Sequence, residues 1–244
     1  MRIGVFDSGL GGINVLKALI KYHPNQEYIY VGDNKNLPYG EKSKIELLNL
    51  SSKIIDFLVS EQVDLILIAC GTVSSNVYNE LKQKYNIPIF NIIDTTISKI
   101  KESNIKNLAV LATPATINTH IFKNKLKNIN VTEISCGAFV SLVENTMDKK
   151  YTQLYIKEYL KEIKKEGIKD IVLGCTHYPL LEEDIRKYLG DVNFYNMGRI
   201  VANSIYLKEG NSSLNVYFTN NNMEINNKVN NILEQKIKTK QIDL

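Results

Sequence analysis

Residues 64–72 read DLILIACGT, and residues 170–177 read DIVLGCTH. Each stretch is an acidic residue, a run of aliphatic and β-branched residues, a cysteine and then a threonine, and each leads into a segment of helical character. A short unbroken apolar run of this kind reads as a strand buried on both faces, the kind found in parallel sheets. Two such strands deliver Cys70 and Cys175 to equivalent places at the carboxyl edge of a sheet, where open α/β folds bind ligands. A matched pair of thiols implies one site between two halves, with a sulfur on each side.

Working outward, residues 3–6, 28–31, 89–93, 108–111, 131–135, 192–195 and 216–219 read as further strands. Residues 13–22, 43–62, 74–85, 118–127, 151–166 and 179–189 read as helices, and 138–145 begins a helix or turn. The helix over 43–62 is expected to bury Ile45, Leu48, Ile54, Ile55 and Leu58. Asparagine-rich residues 220–231 keep helical spacing through Ile225, Val229, Ile232 and Leu233. Strand–helix alternation throughout predicts an α/β protein with parallel sheets. The pattern restarts midway: Asp7 to Cys70 and Ala112 to Cys175 both span 63 positions (70 − 7 and 175 − 112). That equality points to two similar parallel-sheet α/β domains related by pseudo-two-fold symmetry, with the active site in the cleft between them. The expected division is 1–94 plus 207–244 for the first domain and 95–206 for the second.

The bulk properties narrow the class. A chain of 244 residues has room for two domains of about 100–150 residues. Its net charge of +4 is mild, and lysines such as those in 157–169 fall on predicted helices, so they read as a solvated face and not as a nucleic-acid groove. No apolar run approaches the roughly 18 residues of a membrane span. The sequence enters a strand pattern at once, without a basic region, apolar region and cleavage site, so a cytoplasmic protein is expected. Three widely spaced cysteines do not make a disulfide framework; free thiols are the better reading.

Reactivity is then a matter of position. A thiol at a helix start meets backbone N–H groups and the positive end of the helix dipole, which favours thiolate. Cys70 and Cys175 have this placement, with Thr72 and Thr176 beside them to cap a helix or bind an anion. Cys136, at the end of a predicted strand, reads as an inert buried residue. His177 shares a turn with Cys175 and can tune it or relay a proton. His23 and His120 read as surface or helix residues. No C-x-x-C or H-x-x-x-H pattern suggests a metal site. The loop DSGLGG at 7–12 lacks the Lys-Ser/Thr of a P-loop and the glycine spacing of a dinucleotide fingerprint. Its glycines still permit close approach of a ligand, and Asp7 could hold an ammonium, orient a thiol or, like Ser8, cap a helix. No arginine follows either cysteine at the spacing of a phosphatase, and a cysteine protease leaves the second thiol unexplained.

GVFDSGLGG (4–12), PYG (38–40), the Cys-x-Thr turn at 70–72, FVSLVE (139–144) and GCTHYPLL (174–181) together resemble the glutamate racemase family. The matches run in order over about three-quarters of the chain. The resemblance implies two α/β domains, a site between them, and cofactor-independent two-base proton transfer at the α-carbon of glutamate, supplying D-glutamate for peptidoglycan. It assigns Cys70 to D-glutamate and Cys175 to L-glutamate, with Asp7, Glu144 and His177 assisting the thiols. Asp7, Ser8, Pro38, Tyr39, Gly40, Gly71, Thr72, Thr113, Thr116, Thr176 and His177 are implied to bind substrate. No cofactor and no metal are expected; glutamate is the expected partner, in a homodimer with no nucleic acid and no membrane.

The chain departs from the family pattern at Gly71, where asparagine is usual. It departs again at 93–96, where the family has a proline- or glycine-bearing turn, and at 195–197, which lacks an acidic residue. Gly71 motivates the alternative of a racemase for aspartate or another acidic amino acid. A non-catalytic regulatory relative is the third reading.

Overall fold

The computed structural model describes residues 1–145 and 148–244. Its strands are β1 (Arg2–Asp7), β2 (Glu27–Gly32), β3 (Leu65–Ile68), β4 (Ile89–Asn91), β5 (Asn107–Ala112), β6 (Asn130–Ser135), β7 (Asp170–Leu173), β8 (Asn193–Asn196), β9 (Ser213–Phe218) and β10 (Lys240–Gln241). They form one sheet in the order β10-β9-β2-β1-β3-β4 and a second in the order β6-β5-β7-β8, with every pairing parallel. The carboxyl-terminal strands β9 and β10 thus return to the first sheet.

The restart seen in the sequence is a repeat of register. Phe6 lies opposite Ile68 and Ile68 opposite Asn91; Leu111 lies opposite Leu173 and Leu173 opposite Asn196. Each residue of the second set is 105 positions beyond its counterpart in the first (111 − 6, 173 − 68, 196 − 91). Cys70 and Cys175 stand in the same relation. So do the helices Ile92–Lys101 and Met197–Ser204, which pack against each other. Each is capped by the asparagine that ends its preceding strand: Asn91 accepts the N–H of Asp94, and Asn196 that of Arg199.

Alternate residues along each strand feed different cores, as the two-residue period of a strand requires. Ile3, Val5, Leu65 and Leu67 of the first sheet and Leu108, Val110 and Val172 of the second join one shared core. That core is completed by Ile13 and Leu16 of the helix Gly12–Tyr22 and by Ile93, Ile97, Met197 and Val201 of the paired helices. Phe6, Ile66 and Ile68 face the helix Lys44–Ser60, while Leu111, Ile171 and Leu173 face the helix Lys149–Glu166. Both faces of both sheets are therefore covered, at about 1.5–3 kcal/mol for each large apolar side chain fully buried.

Several elements differ from their sequence reading. A capping box between Ser43 and Glu46 starts the second long helix at Lys44. Its buried residues Leu47, Ser51, Ile54, Ile55 and Leu58 share one face, which turns Ile45 to the opposite side at 73% exposure and leaves Leu48 half-buried. The helix expected over 74–85 begins at Gly71 and breaks at Val77 into Gly71–Asn76 and Tyr78–Lys84. That over 118–127 is two short helices, Pro114–Ile117 and Ile121–Lys125, interrupted by left-handed His120. That over 179–189 is a 3-10 turn, Tyr178–Leu181, followed by the helix Glu182–Leu189. The helices Ile92–Lys101 and Met197–Ser204 and the strand β10 were not anticipated, and residues 92–93, read as strand, open a helix. No helix among the described residues is long and apolar enough to cross a membrane.

Candidate active site

The carboxyl ends of the central strands bring the candidate residues together from both sheets. β1 ends in Asp7 and leads to Ser8, β3 leads to Cys70, Gly71 and Thr72, β5 leads to Thr113, and β7 leads to Cys175, Thr176 and His177. By the 105-residue relation Ser8 matches Thr113, Cys70 matches Cys175, Gly71 matches Thr176, and Thr72 matches His177. The backbone and the cysteine on it are duplicated; the side chains beside that cysteine are not.

Cys175 has an ionisable escort. Its Sγ lies 3.5 Å from His177 Nδ1, and His177 Nε2 lies 2.6 Å from Glu144 Oε1. Glu144 ends the helix Ala138–Glu144, where its Oε1 also accepts the N–H of Leu10 at 3.0 Å. Burial acts to lower the pKa of His177, but the thiol and Glu144 outweigh it and hold the imidazole well above its ordinary value. Burial acts to raise Glu144, and the bond and charge of His177 outweigh that and lower it. The two directions agree on a carboxylate–imidazolium pair, the form in which both ring nitrogens donate.

Cys70 has no such partner. Its Sγ is 4.0 Å from Ser8 Oγ. Burial, followed by the charge of Asp7, pushes this thiol up, and the N–H of Val73 and the Ser8 hydroxyl offset only part of that. At Cys70 burial works against the thiolate that a helix start favours, and the helix there is only six residues long. Asp7 is fully buried and is itself pushed up by burial, with His177 and backbone N–H groups acting the other way. It accepts the N–H of Gly12 at 2.8 Å, so it does serve the helix start. It also accepts the hydroxyl of Thr176 at 3.2 Å, which ties the end of β1 to the Cys175 turn.

A chain of hydroxyls crosses between the halves. Thr72 Oγ1 meets Thr113 Oγ1 at 2.9 Å, Thr113 Oγ1 meets Thr116 Oγ1 at 3.1 Å, and Ser75 Oγ donates to Thr116 Oγ1 at 3.2 Å. Tyr39 is fixed from behind: its hydroxyl donates to Asp33 Oδ2 at 2.6 Å, and Asp33 Oδ1 takes the hydroxyl of Thr219 at 2.8 Å.

A pocket of about 50 Å³ has both thiols on its wall. Ser8, Pro38, Tyr39, Gly40, Gly71, Thr72, Thr113, Thr176 and His177 line it as well. Asp7, Glu144 and Thr116 do not; they stand behind the lining residues and bond to them. Sequence reasoning missed Leu37, Glu41, Pro114, Gly137, Val140 and Ser141, which also line the pocket. Val140 and Ser141 lie inside the FVSLVE motif, where only Glu144 was singled out. No lysine or arginine lines the pocket among the described residues. Cys136 is buried in the core beneath the helix Lys149–Glu166, His23 bonds to the carbonyl of Ala202, and His120 pairs with Glu133, all outside the lining.

A family profile described as Asp/Glu/Hydantoin racemase matches residues 10–204. The chain is 35% identical over 255 residues to a glutamate racemase of Hydrogenobaculum sp. (strain Y04AAS1), covering 100% of this chain and 97% of that one. It is 45% identical over 196 residues to a glutamate racemase of Fusobacterium nucleatum subsp. nucleatum, covering 76% and 73%. The crystal structure of glutamate racemase from Francisella tularensis in complex with D-glutamate matches with a TM-score of 0.88 at 29% identity, over 99% of this chain and 97% of that one. The duplicated parallel sheets, the paired thiols and these matches agree: the chain belongs to the Asp/Glu/hydantoin racemase family and is an amino-acid racemase, an isomerase.

Proposed function

We propose that this enzyme interconverts L- and D-glutamate by two-base proton transfer, Cys70 working at one face of the α-carbon and Cys175 at the other. The observation that carries the reading is the placement of two thiols, 105 positions apart at register-equivalent points, on the wall of one pocket. The relatives named glutamate racemase supply the substrate. Racemisation must run from either enantiomer, so it needs an acid and a base of like kind facing each other.

From L-glutamate, the sulfur of Cys175 takes the α-proton: the Cα–H bond breaks and an S–H bond forms. The thiol of Cys70 then gives its proton to the opposite face and is left as thiolate. From D-glutamate the roles exchange. The carbanion spreads its charge into the α-carboxylate. In a pocket with no lysine or arginine among the described residues, stabilisation falls to hydroxyls and helix-start N–H groups, each worth about 2–4 kcal/mol by analogy with oxyanion donors. His177, held protonated by Glu144, gives Cys175 a cationic neighbour. Cys70 has the Ser8 hydroxyl at 4.0 Å, with the carboxyl of Asp7, raised by burial, behind the pocket wall. In this reading the reaction uses no cofactor, the protein is a cytoplasmic homodimer divided at 1–94 plus 207–244 and 95–206, and the product serves peptidoglycan.

Circular dichroism of the amino acid tests this. The wild type is expected to racemise both enantiomers of glutamate faster than those of aspartate, and Cys70→Ala and Cys175→Ala are each expected to lose racemisation in both directions by at least about 10³-fold. Unchanged turnover in either variant would remove that thiol from the mechanism. Preference for aspartate would move the substrate to the alternative raised by Gly71.

A further inference from the structure

We propose that Gly71 is a positioning residue that sets the spacing of the two thiols, by letting the backbone of the Cys70 turn rest on the backbone of the Cys175 turn. The proposal rests on the two-thiol reading above. A Cβ at Gly71 would lie 2.6 Å from the carbonyl oxygen of Gly174, inside any ordinary carbon–oxygen contact of about 3.3 Å. Gly71 directly follows Cys70 and Gly174 directly precedes Cys175, so the contact is one residue from each sulfur-bearing residue.

Neither side can withdraw freely. Gly174 donates its N–H to Leu111 O at 2.7 Å, and its own Cβ would lie 2.7 Å from that oxygen and 3.0 Å from Ala112 Cβ, so β5 backs it. On the other flank, a Cβ at Gly11 would meet Thr176 Oγ1 and lie 2.7 Å from His177 Nδ1. The Cys175 turn is thus seated between two glycines of the first half, with no side chain as a spacer on either side.

Backbone conformation does not explain Gly71. The positive-φ glycines are Gly167 and Gly190, whereas Gly71 opens a right-handed helix, where glycine is a poor former. Its register equivalent, Thr176, carries a side chain and uses it to bond Asp7. Glycine at 71 therefore serves the close approach and not a backbone turn.

On this backbone a side chain at 71 forces the two turns apart by roughly 0.7 Å, so relatives with the family's usual asparagine are expected to set these turns wider; here, displacements near 1 Å cost on the order of 10²-fold in reactions that depend on alignment. A carbanion made by one thiol then waits longer for the other, and is reprotonated from the face it left. In deuterated buffer, starting from L-glutamate, this reads as deuterium entering recovered L-glutamate without inversion. The wild type is expected to invert in most exchange events. Gly71→Ala and Gly71→Asn, shown to be folded by an unchanged far-UV spectrum, are expected to lose roughly 10²-fold in kcat with KM within about 3-fold. Their ratio of exchange-with-retention to inversion is expected to rise at least about 5-fold.

A wild-type ratio in the folded variants, or a gain in turnover in Gly71→Asn, overturns the proposal. Should the variants not fold, the wild type decides: exchange with retention exceeding inversion contradicts a spacing set for transfer. Cys70→Ala and Cys175→Ala separate the two failures. If they still racemise, the two-thiol reading falls; if they do not and the Gly71 variants invert normally, only the spacing role falls.

Discussion

Glu144 and His177 are 33 positions apart in sequence, and together they decide how the Cys175 wall is charged. His177, with its pKa raised, adds stability that is fully present below the ordinary imidazole value of about 6.5 and is lost as pH rises through the raised value. Glu144, with its pKa lowered, adds stability that is present above the ordinary carboxylate range and is lost as pH falls through the lowered value. The pair is therefore intact across neutral pH. Glu144→Gln removes the charge that holds the imidazolium, so the alkaline limb of kcat/KM is expected to move to lower pH. In urea titrations the stability deficit of this variant against wild type is expected to be present at neutral pH and to shrink as pH rises. An alkaline limb that stays in place would show that His177 does not depend on Glu144 for its proton. The motif GCTHYPLL placed His177 beside Cys175, but nothing in it disclosed that the neighbour of Cys70 is an acid that disfavours thiolate. That asymmetry comes from residues brought together only by folding.

At the scale of elements, legibility followed burial pattern. Strands such as β3 and β7 were plain because they are short apolar runs covered on both faces. The two missed helices, Ile92–Lys101 and Met197–Ser204, are counterparts of one another and were missed for related reasons. The first is rich in isoleucine and threonine, which read as strand; the second is eight residues long with an internal glycine. Tertiary packing overrides those local preferences, since each helix lies against the other in the shared core. The asparagine caps were the available signal. Asn91 accepts the Asp94 N–H at 2.8 Å and returns a bond to the Asp94 carboxylate at 2.9 Å. Asn91→Ala is expected to cost about 1–2 kcal/mol in a urea titration, and Asn196→Ala about 1 kcal/mol. No loss in either would show that packing alone starts these helices.

At the scale of the molecule, one backbone plan used twice brings two similar edges face to face, and the chemistry lies in the cysteine the copies share and in the neighbours they do not. Where one copy has Cys70, Gly71 and Thr72, the other has Cys175, Thr176 and His177. The equal spacing of 63 residues in the sequence was enough to expect the duplication. It could not reveal the glycine seam or the hydroxyl chain from Thr72 to Ser75, because each depends on how closely the halves approach. The central claim, one thiol for each face of the α-carbon, is tested most directly by α-proton exchange in deuterated buffer with Cys70→Ser and Cys175→Ser. Cys70→Ser keeps the base for L-glutamate and is expected to exchange the L enantiomer in preference to the D, while Cys175→Ser is expected to prefer D to L, neither inverting at a wild-type rate. Equal exchange of both enantiomers by either variant would contradict the account.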